Sequence, residues 1–375
     1  MSRIPVRRAL ISVSDKTGVV DFARRLVGAG VQIVASGGTA TTLAAAGVDV
    51  MPVDAVAAAP EMLGGRVKTL HPAIHGGILA DRGDARHLAD LAEHGIEPFD
   101  LVVVNLYPFE QVVASGATEA ELVENIDIGG PTLIRAAAKN CAWVAVVVSP
   151  DRYGQIADEV EAGGTTAELR SDLAREAFFR TARYDAVIVD WLERDERDRL
   201  ALALVKISDA RYGENPHQPA AVYALGDSKG WWTTADQTQG KAMSFNNYAD
   251  ADAAWRLVND LPAKSAAILK HMNACGAASA DSIHEAFTKA WACDPLSAFG
   301  GVVALNHRLD EDTALAIAGH FVEVVVAPSI TPEAADALAG KRNLRVLTAA
   351  PPSEHDLDVR SIDDGLLVQQ RDTVE

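Results

Sequence analysis

Cysteine is scarce here: the 375 residues hold only Cys141, Cys275 and Cys293, too few and too scattered for a disulfide framework. No CxxC pair occurs, which argues against a structural zinc site. Positive charge is also short, with 34 Lys and Arg against 52 Asp and Glu and a formal charge of −18. So acidic a chain is a poor match for nucleic acid or a membrane surface, and it can hold an anion only in a local pocket of positive charge. No apolar run reaches about 18 residues, so no membrane span is expected. The first residues, Met1-Ser-Arg-Ile-Pro-Val-Arg-Arg-Ala-Leu-Ile11, lack the apolar core of a secretory signal. Internal repeats and low-complexity tracts are absent as well. The expectation is a reduced, cytoplasmic, multidomain enzyme of two or three domains at about 150 residues each.

What is present is an alternation of short β-branched runs with Ala-rich helical ones. Ala9–Val13, Val31–Ala35 and Val48–Val53 read as strands, with helices at Val19–Ala29 and Thr39–Ala46 between them. Leu101–Val104 and Val144–Val148 are apolar at every position, as strands of a helix-covered parallel sheet are. The order predicts right-handed crossovers and an open α/β sheet. Thr165–Leu202 reads as a charged, solvated helical close to a first domain of residues 1–200. In a second unit, 201–375, Asp250–Leu261 and Ser282–Ala292 read as helices, and Ala266–Lys270, Val302–Leu305, Glu323–Ala327 and Leu344–Leu347 as strands. The tail from Ala349 to Glu375 reads as turns without a closing element.

Chemistry concentrates where strands give way to glycine-rich loops, the usual ligand edge of an open α/β sheet. Ser12-Val-Ser-Asp-Lys-Thr-Gly18 offers Ser14, Lys16 and Thr17 to a phosphate at a helix start; the plainer alternative is an N-cap by Ser14 or Asp15. Ser36-Gly-Gly-Thr-Ala40 repeats the arrangement with Ser36, Gly38 and Thr39. Gly65-Arg-Val-Lys-Thr-Leu-His-Pro-Ala-Ile-His-Gly-Gly77 crowds Arg66, Lys68, Thr69, His71 and His75 into one stretch. The i, i+4 histidines resemble a metal pair, but Pro72 between them argues against the helix such a pair needs. Asn105-Leu-Tyr-Pro-Phe109 follows an apolar strand, and Asn125-Ile-Asp-Ile-Gly-Gly-Pro131 opens a helix carrying Lys139. Asp127, a lysine and the Tyr107 phenol in one pocket could move protons around a neutral heterocycle; the alternative is that Asp127 caps its helix and Lys139 is solvated. In the second half, Lys270-His271 ends a buried strand just before a glycine turn. A neighbouring cation disfavours imidazolium and leaves a ring suited to act as a general base, whereas a hydrogen-bonded core histidine is the plainer reading.

Together these segments resemble the bifunctional purine-biosynthesis family that joins AICAR transformylase to IMP cyclohydrolase. SVSDKTG, SGGTA, GRVKTLHP, NLYPF, DIGGP and AAAKN stand in the order of the family's cyclohydrolase half. RYGENPHQ, FNN with DADAAW, LKH with CG, and DP with SAFGG follow as in its transformylase half, from about residue 8 to the end. The resemblance implies a methylglyoxal-synthase-like open parallel sheet domain, then a partial cytidine-deaminase-like α/β domain. It implies formyl transfer from 10-formyltetrahydrofolate to AICAR, giving FAICAR, and dehydrative ring closure of FAICAR to IMP. Carried over by motif, Lys68, Tyr107, Asp127 and Lys139 are the cyclohydrolase residues. Ser14, Lys16, Thr17, Ser36, Gly38 and Thr39 hold the nucleotide phosphate, and Arg66, Thr69, Asn105, Gly129 and Gly130 line the substrate. Lys270 and His271 are the transformylase pair, with Arg211, Tyr212, Asn247, Phe299 and Gly300 as AICAR or folate contacts. A homodimer is implied.

The deaminase zinc signature, HxE with PCxxC, is missing, so zinc is not expected. Ala274 stands where many members have proline, and Met272 is unusual; either could alter the turn after His271. Full-length members continue past this chain's end into a second subdomain with further formyl-transfer residues and a potassium site. The chain therefore reads as a fragment with cyclohydrolase intact and transformylase crippled. Two other readings remain: a non-catalytic nucleotide-binding module of the same first-domain fold, and a dinucleotide binder, against which the missing GxGxxG counts.

Overall fold

Five short runs with branched apolar side chains build the first sheet: β1 (Arg8–Val13), β2 (Gln32–Ala35), β3 (Met51–Pro52), β4 (Leu101–Asn105) and β5 (Ala145–Val147). All pair in parallel, in the order β3-β2-β1-β4-β5. Leu10, Ile11, Leu101, Val102 and Ala145 are wholly buried, as both faces of a helix-covered sheet require. The computed structural model describes residues 3–57, 63–225, 230–353 and 357–372. The chain divides into two compact units, Met1–Ala203 and Leu204–Glu375.

In the first unit the chain leaves β1 for β2 and β3 on one side, then returns to place β4 and β5 on the other. The β1–β4 gap is thus the topological switch point, where open α/β sheets form their crevice. At the opposite edge, buried Asp100 accepts the Arg7 and Arg8 backbone N–H groups at 2.7 and 2.9 Å and pairs with Arg82 at 2.6 Å. The third strand is shorter than Val48–Val53. Pro52 has no N–H to carry the ladder onward, and Val53 already opens the helix Val53–Ala57. The charged segment after Thr165 is a helix only over Ala167–Leu192, and it is not merely solvated: Leu173, Ala177, Thr181, Tyr184 and Trp191 are buried on one face.

The second unit's main sheet runs β10-β9-β11-β12-β13-β8. Its strands are β8 (Asp236–Gln239), β9 (Ser265–Lys270), β10 (Asn273–Ser279), β11 (Val302–Leu305), β12 (Val324–Ala327) and β13 (Arg345–Thr348). Only β11, β12 and β13 run parallel; β9 is antiparallel to both its neighbours. One face is covered by the helix Phe245–Asp260, whose Ala251, Ala254, Trp255 and Val258 pack with Ala267, Leu269, Val302 and Ala304. Two separate hairpins, β6 (Leu204–Ala210) with β7 (Ala220–Leu225) and β14 (Leu357–Ile362) with β15 (Gly365–Gln370), complete it. The tail is therefore not all turns: Asp363-Asp364-Gly365 is the bend of a hairpin, with Asp364 at φ 55°. Its last residues, 373–375, lie outside the described residues.

Candidate active site

At the switch point three loops are stitched together. Asn105, at the end of β4, accepts the N–H groups of Ser14 and Asp15 on Oδ1 at 2.5 and 3.0 Å and donates from Nδ2 to the Asp15 carbonyl at 2.8 Å. Thr39 both accepts the Val13 N–H and donates to the Val13 carbonyl, each at 3.1 Å, and it is buried. The Ser12 and Ser36 hydroxyls share a hydrogen bond of 2.6 Å. Thr17 turns its hydroxyl and N–H to Asp15, which holds that carboxyl below its usual value. Asn105 and Thr39, expected as direct substrate contacts, thus spend their side chains on shaping the β1 loop.

The helix Gly37–Ala45 opens beside this loop. The Lys68 ammonium lies 3.7 Å from where a Cβ would stand on Gly37, and that of Lys16 lies 3.8 Å from the same point on Gly38. Lys16 is steadied by the carbonyls of Val13 and Ser14, both at 3.3 Å. A helix N-terminus flanked by two ammonium groups is suited to a phosphate dianion. Arg66 is instead exposed and ion-paired with Glu124.

Next to Thr69 begins the acid–base group. Asp127 Oδ1 accepts the Gly130 N–H at 2.8 Å, and the Tyr107 N–H also serves the carboxylate. Burial outweighs both and pushes the Asp127 carboxyl up from its usual value. Capping and proton chemistry are therefore compatible roles for this one side chain. The turn is crowded: a Cβ on Gly129 would stand 2.8 Å from Thr69 Oγ1, and one on Gly130 would stand 2.5 Å from Asp127 Oδ2. Tyr107 is half exposed.

Lys139 is not brought here. It ends the helix that Gly129 begins, and ten residues at about 1.5 Å each place it about 15 Å away. Its neighbour Asn140 donates to the carbonyls of Ile78 and Ala80, at the far end of the helix Pro72–Leu79. Pro72 does not prevent that helix; it occupies the first turn, where a missing N–H costs nothing, and His71 caps it by accepting the Ala73 N–H at 3.2 Å. His75, inside the helix, meets the Thr69 backbone, and burial pushes its imidazole below its usual value. Among the described residues no group of three His, Cys, Asp or Glu side chains could hold a metal ion.

Of two supporting residues, Tyr184 is not singled out by the sequence, and His75 stands out there for another role. Tyr184 accepts the Asp127 N–H on its hydroxyl, and His75 supports the Thr69 turn. Tyr184 was signalled by the spacing Leu173, Ala177, Thr181, Tyr184, Ile188, Trp191, an apolar stripe inside a charged helix.

In the second unit, Lys270 and His271 stand at the carboxyl end of β9. Because β9 is antiparallel, this is the amino edge of β11, β12 and β13. Lys270 Nζ donates to the Phe299 carbonyl at 2.9 Å, and Gly300, at φ 76°, donates its N–H to the Phe321 carbonyl. The expected glycine turn is absent here: the hairpin bend is His271–Met272 itself, and Gly276 lies within β10, where a Cβ would strike the Ala290 carbonyl. The Arg211 guanidinium lies 5.3 Å from the Tyr212 ring centroid, and Arg211 and Tyr212 bond through their backbones to Met243 and Phe245. Asn247 is buried. Its Oδ1 accepts from the Ser244 N–H and hydroxyl, while Nδ2 donates to Glu323 at 2.9 Å, so it braces the helix start rather than facing outward. Glu323 also pairs with buried Arg345 at 3.5 Å.

The class follows from these features: an α/β enzyme whose first unit carries a phosphate-suited switch point with a buried carboxylate, joined to a mixed-sheet second unit. Comparison with known families narrows it. Residues 18–132 match the MGS-like domain, and residues 137–375 match the AICARFT/IMPCHase bienzyme. The chain is 49% identical over 379 residues to the bifunctional purine biosynthesis protein PurH of Brucella ovis, and 50% identical to that of Brucella abortus. Each alignment covers 98% of this chain and 70% of the relative. A solved structure titled "Crystal structure of ForH" is 35% identical, covers 50% of this chain and 99% of its own, and has a TM-score of 0.45. The chain belongs to the AICARFT/IMPCHase bienzyme family, enzymes of purine biosynthesis. The two family models meet inside the helix Gly129–Lys139, so they divide the sequence and not the folded unit.

Proposed function

We propose that this chain serves the last two steps of IMP synthesis, with residues 1–200 as the cyclohydrolase and 201–375 as the first part of the transformylase. The observation that carries the first assignment is Asp127, a partly buried carboxylate whose affinity for a proton is raised by burial. The FAICAR phosphate sits at the Gly37–Gly38 helix start with Lys16 and Lys68. The carboxamide nitrogen then attacks the formyl carbon. A C–N bond forms and Asp127 takes one carboxamide proton; the C–O bond then breaks as the former formyl oxygen, carrying that proton and the one lost from the formamide nitrogen, leaves as water. Lys68 and the Tyr107 phenol stabilise the oxygen while it carries charge. Holding FAICAR folded for attack supplies much of the rate. Gly129 and Gly130 let Thr69 and Asp127 approach the substrate turn.

In the second unit, the AICAR amine attacks the formyl carbon of 10-formyltetrahydrofolate, His271 takes the amine proton with Lys270 beside it, and the formyl carbon–N10 bond breaks as N10 takes up a proton and tetrahydrofolate leaves. Arg211, Tyr212, Phe299 and Gly300 line that site, with Asn247 bracing it. The chain spans 70% of the length of the curated relatives it matches. 10-Formyltetrahydrofolate is the co-substrate in this reading. The wider reading is a cytoplasmic homodimer acting on small molecules.

The test is to add the chain to FAICAR and follow IMP by ultraviolet absorbance beside Lys68→Ala. IMP formation that falls about a hundredfold in the variant supports the proposal. A folded chain that binds IMP but forms none overturns it in favour of a nucleotide-binding module.

A further inference from the structure

The β9–β10 hairpin turns on two residues, His271 and Met272, at φ 55° and 59°. A two-residue bend of this kind needs left-handed backbone at both central positions and is normally built from Asn, Asp or Gly. Here neither residue is glycine, and one is an unbranched apolar side chain exposed to solvent. Left-handed backbone in such residues persists only where the surroundings hold it.

The surroundings supply one strong hold. Asp250, on the helix Phe245–Asp260, accepts the Met272 N–H on Oδ1 at 2.6 Å. Asp250 is itself buried, and it lies three residues after Asn247, on the same helix face. A charged acceptor at that distance makes one of the stronger kinds of protein hydrogen bond. The second hold is local, the Asn273 side chain donating to the His271 carbonyl at 2.8 Å. Lys270 is fixed separately through the Phe299 carbonyl. Half-buried Cys275 has Asp294, Lys270 and Asp250 as its charged neighbours, so Asp250 and Lys270 both lie near its thiol.

We propose that Asp250 is a positioning residue of the formyl-transfer site: by holding the Met272 N–H it locks the left-handed turn that presents His271. It acts through the backbone and touches no substrate. This rests on the reading of His271 as the base, and the test separates the two.

Four versions of the full chain are compared with the parent: Asp250→Ala, Asp250→Asn, Met272→Gly, and Asp250→Ala with Met272→Gly. The turn is read by NMR, from amide exchange at Met272 and the HN–Hα couplings that report φ at His271 and Met272. In Asp250→Ala the Met272 amide exchanges faster and both couplings leave their left-handed values. Asp250→Asn, which keeps an acceptor oxygen, stays near the parent. Formyl transfer is read as kcat and KM for AICAR. Asp250→Ala lowers kcat about tenfold to a hundredfold, as a small misplacement of a reacting group does, while KM changes less. Glycine adopts the left-handed turn without a clamp, so the double variant returns to within about threefold of Met272→Gly alone.

An unmoved Met272 amide in Asp250→Ala overturns the proposal. So does a rate loss that glycine at 272 fails to recover, or an Asp250→Asn variant as damaged as Asp250→Ala. If the parent chain transfers no formyl group, the reading of His271 loses its support in this chain, and the NMR comparison still decides the clamp.

Discussion

The Tyr184 hydroxyl accepts the backbone N–H of Asp127 at 2.8 Å and directs its own hydrogen to the Asn125 carbonyl 3.4 Å away. A residue from the long helix Ala167–Leu192 thus fixes the peptide that carries the candidate base. Removing the hydroxyl in Tyr184→Phe leaves a partly buried N–H unpaired, at a cost of about 1–3 kcal/mol. The expected result is a lower unfolding free energy by about that amount and a kcat for IMP formation reduced about tenfold, with a smaller change in KM. Denaturant unfolding and steady-state kinetics check it. Unchanged kcat would remove Tyr184 from the site.

Asp127→Asn should separate stability from activity. The folded-state pKa of Asp127 is raised, so its favourable contribution is complete below the unfolded value of about 3.8 and is lost as pH rises through the folded value. Once ionised, the carboxylate carries a desolvation cost in the folded state that it does not carry in the unfolded chain. Asparagine keeps an acceptor for the Gly130 N–H without the charge. The variant should therefore unfold at an equal or higher temperature than the parent at pH 7, while IMP formation falls by a factor of about 100 or more. A strongly destabilised variant would mean that the carboxylate's hydrogen bonds outweigh its desolvation.

His75 works in the opposite direction. Its folded-state pKa is depressed by burial, and its Nε2 is buried with no hydrogen-bond partner among the described residues. The stability it contributes is full above the ordinary imidazole value of 6.5 and is lost as pH falls through the depressed folded value. The difference in urea midpoint between the parent and His75→Gln should therefore shift against the parent between pH 7.5 and pH 5.5. A difference that stays flat over that window would show that the ring is not held neutral.

The sequence shows some of this clearly and hides the rest for physical reasons. Leu101–Val104 announces a parallel strand because burial on both faces leaves no polar position. The loops after β1 and β2 are legible because glycine and hydroxyl residues cluster there. The motif does not reveal where Lys139 stands, because it gives adjacency along the chain, whereas a helix of eleven residues carries its last residue to the far edge of the sheet. The direction of β9 is likewise hidden, since Ser265–Lys270 reads as apolar whichever way it runs. Met272 carries no turn signal, because Asp250 supplies from a distance what glycine or asparagine would supply locally. Tyr184 was lost inside a charged helix whose buried stripe is thin.

The two glycines at the start of the helix Gly129–Lys139 give the sharpest steric prediction. A methyl group on Gly130 would stand 2.5 Å from Asp127 Oδ2 and 2.7 Å from Leu106 Cδ2, inside any real carbon contact. Gly130→Ala must therefore push the carboxylate out of place or shift the helix start. Overpacking of this kind costs about 1–3 kcal/mol. Gly129→Ala meets Thr69 Oγ1 at 2.8 Å, a side chain that can rotate, so its cost should be smaller. Neither position has the positive φ that would add backbone strain, so the effect is contact alone. Gly28, at the end of the helix Val19–Gly28, has nothing within 4 Å of its Cβ position, and Gly28→Ala should be neutral or stabilising by up to about 1 kcal/mol. The expected order of IMP-forming rates is Gly28→Ala equal to the parent, then Gly129→Ala, then Gly130→Ala with the greatest loss. Thermal unfolding should follow the same order. If Gly130→Ala keeps the parent's rate, Asp127 need not occupy its observed position for ring closure, and the proton-acceptor role fails with it.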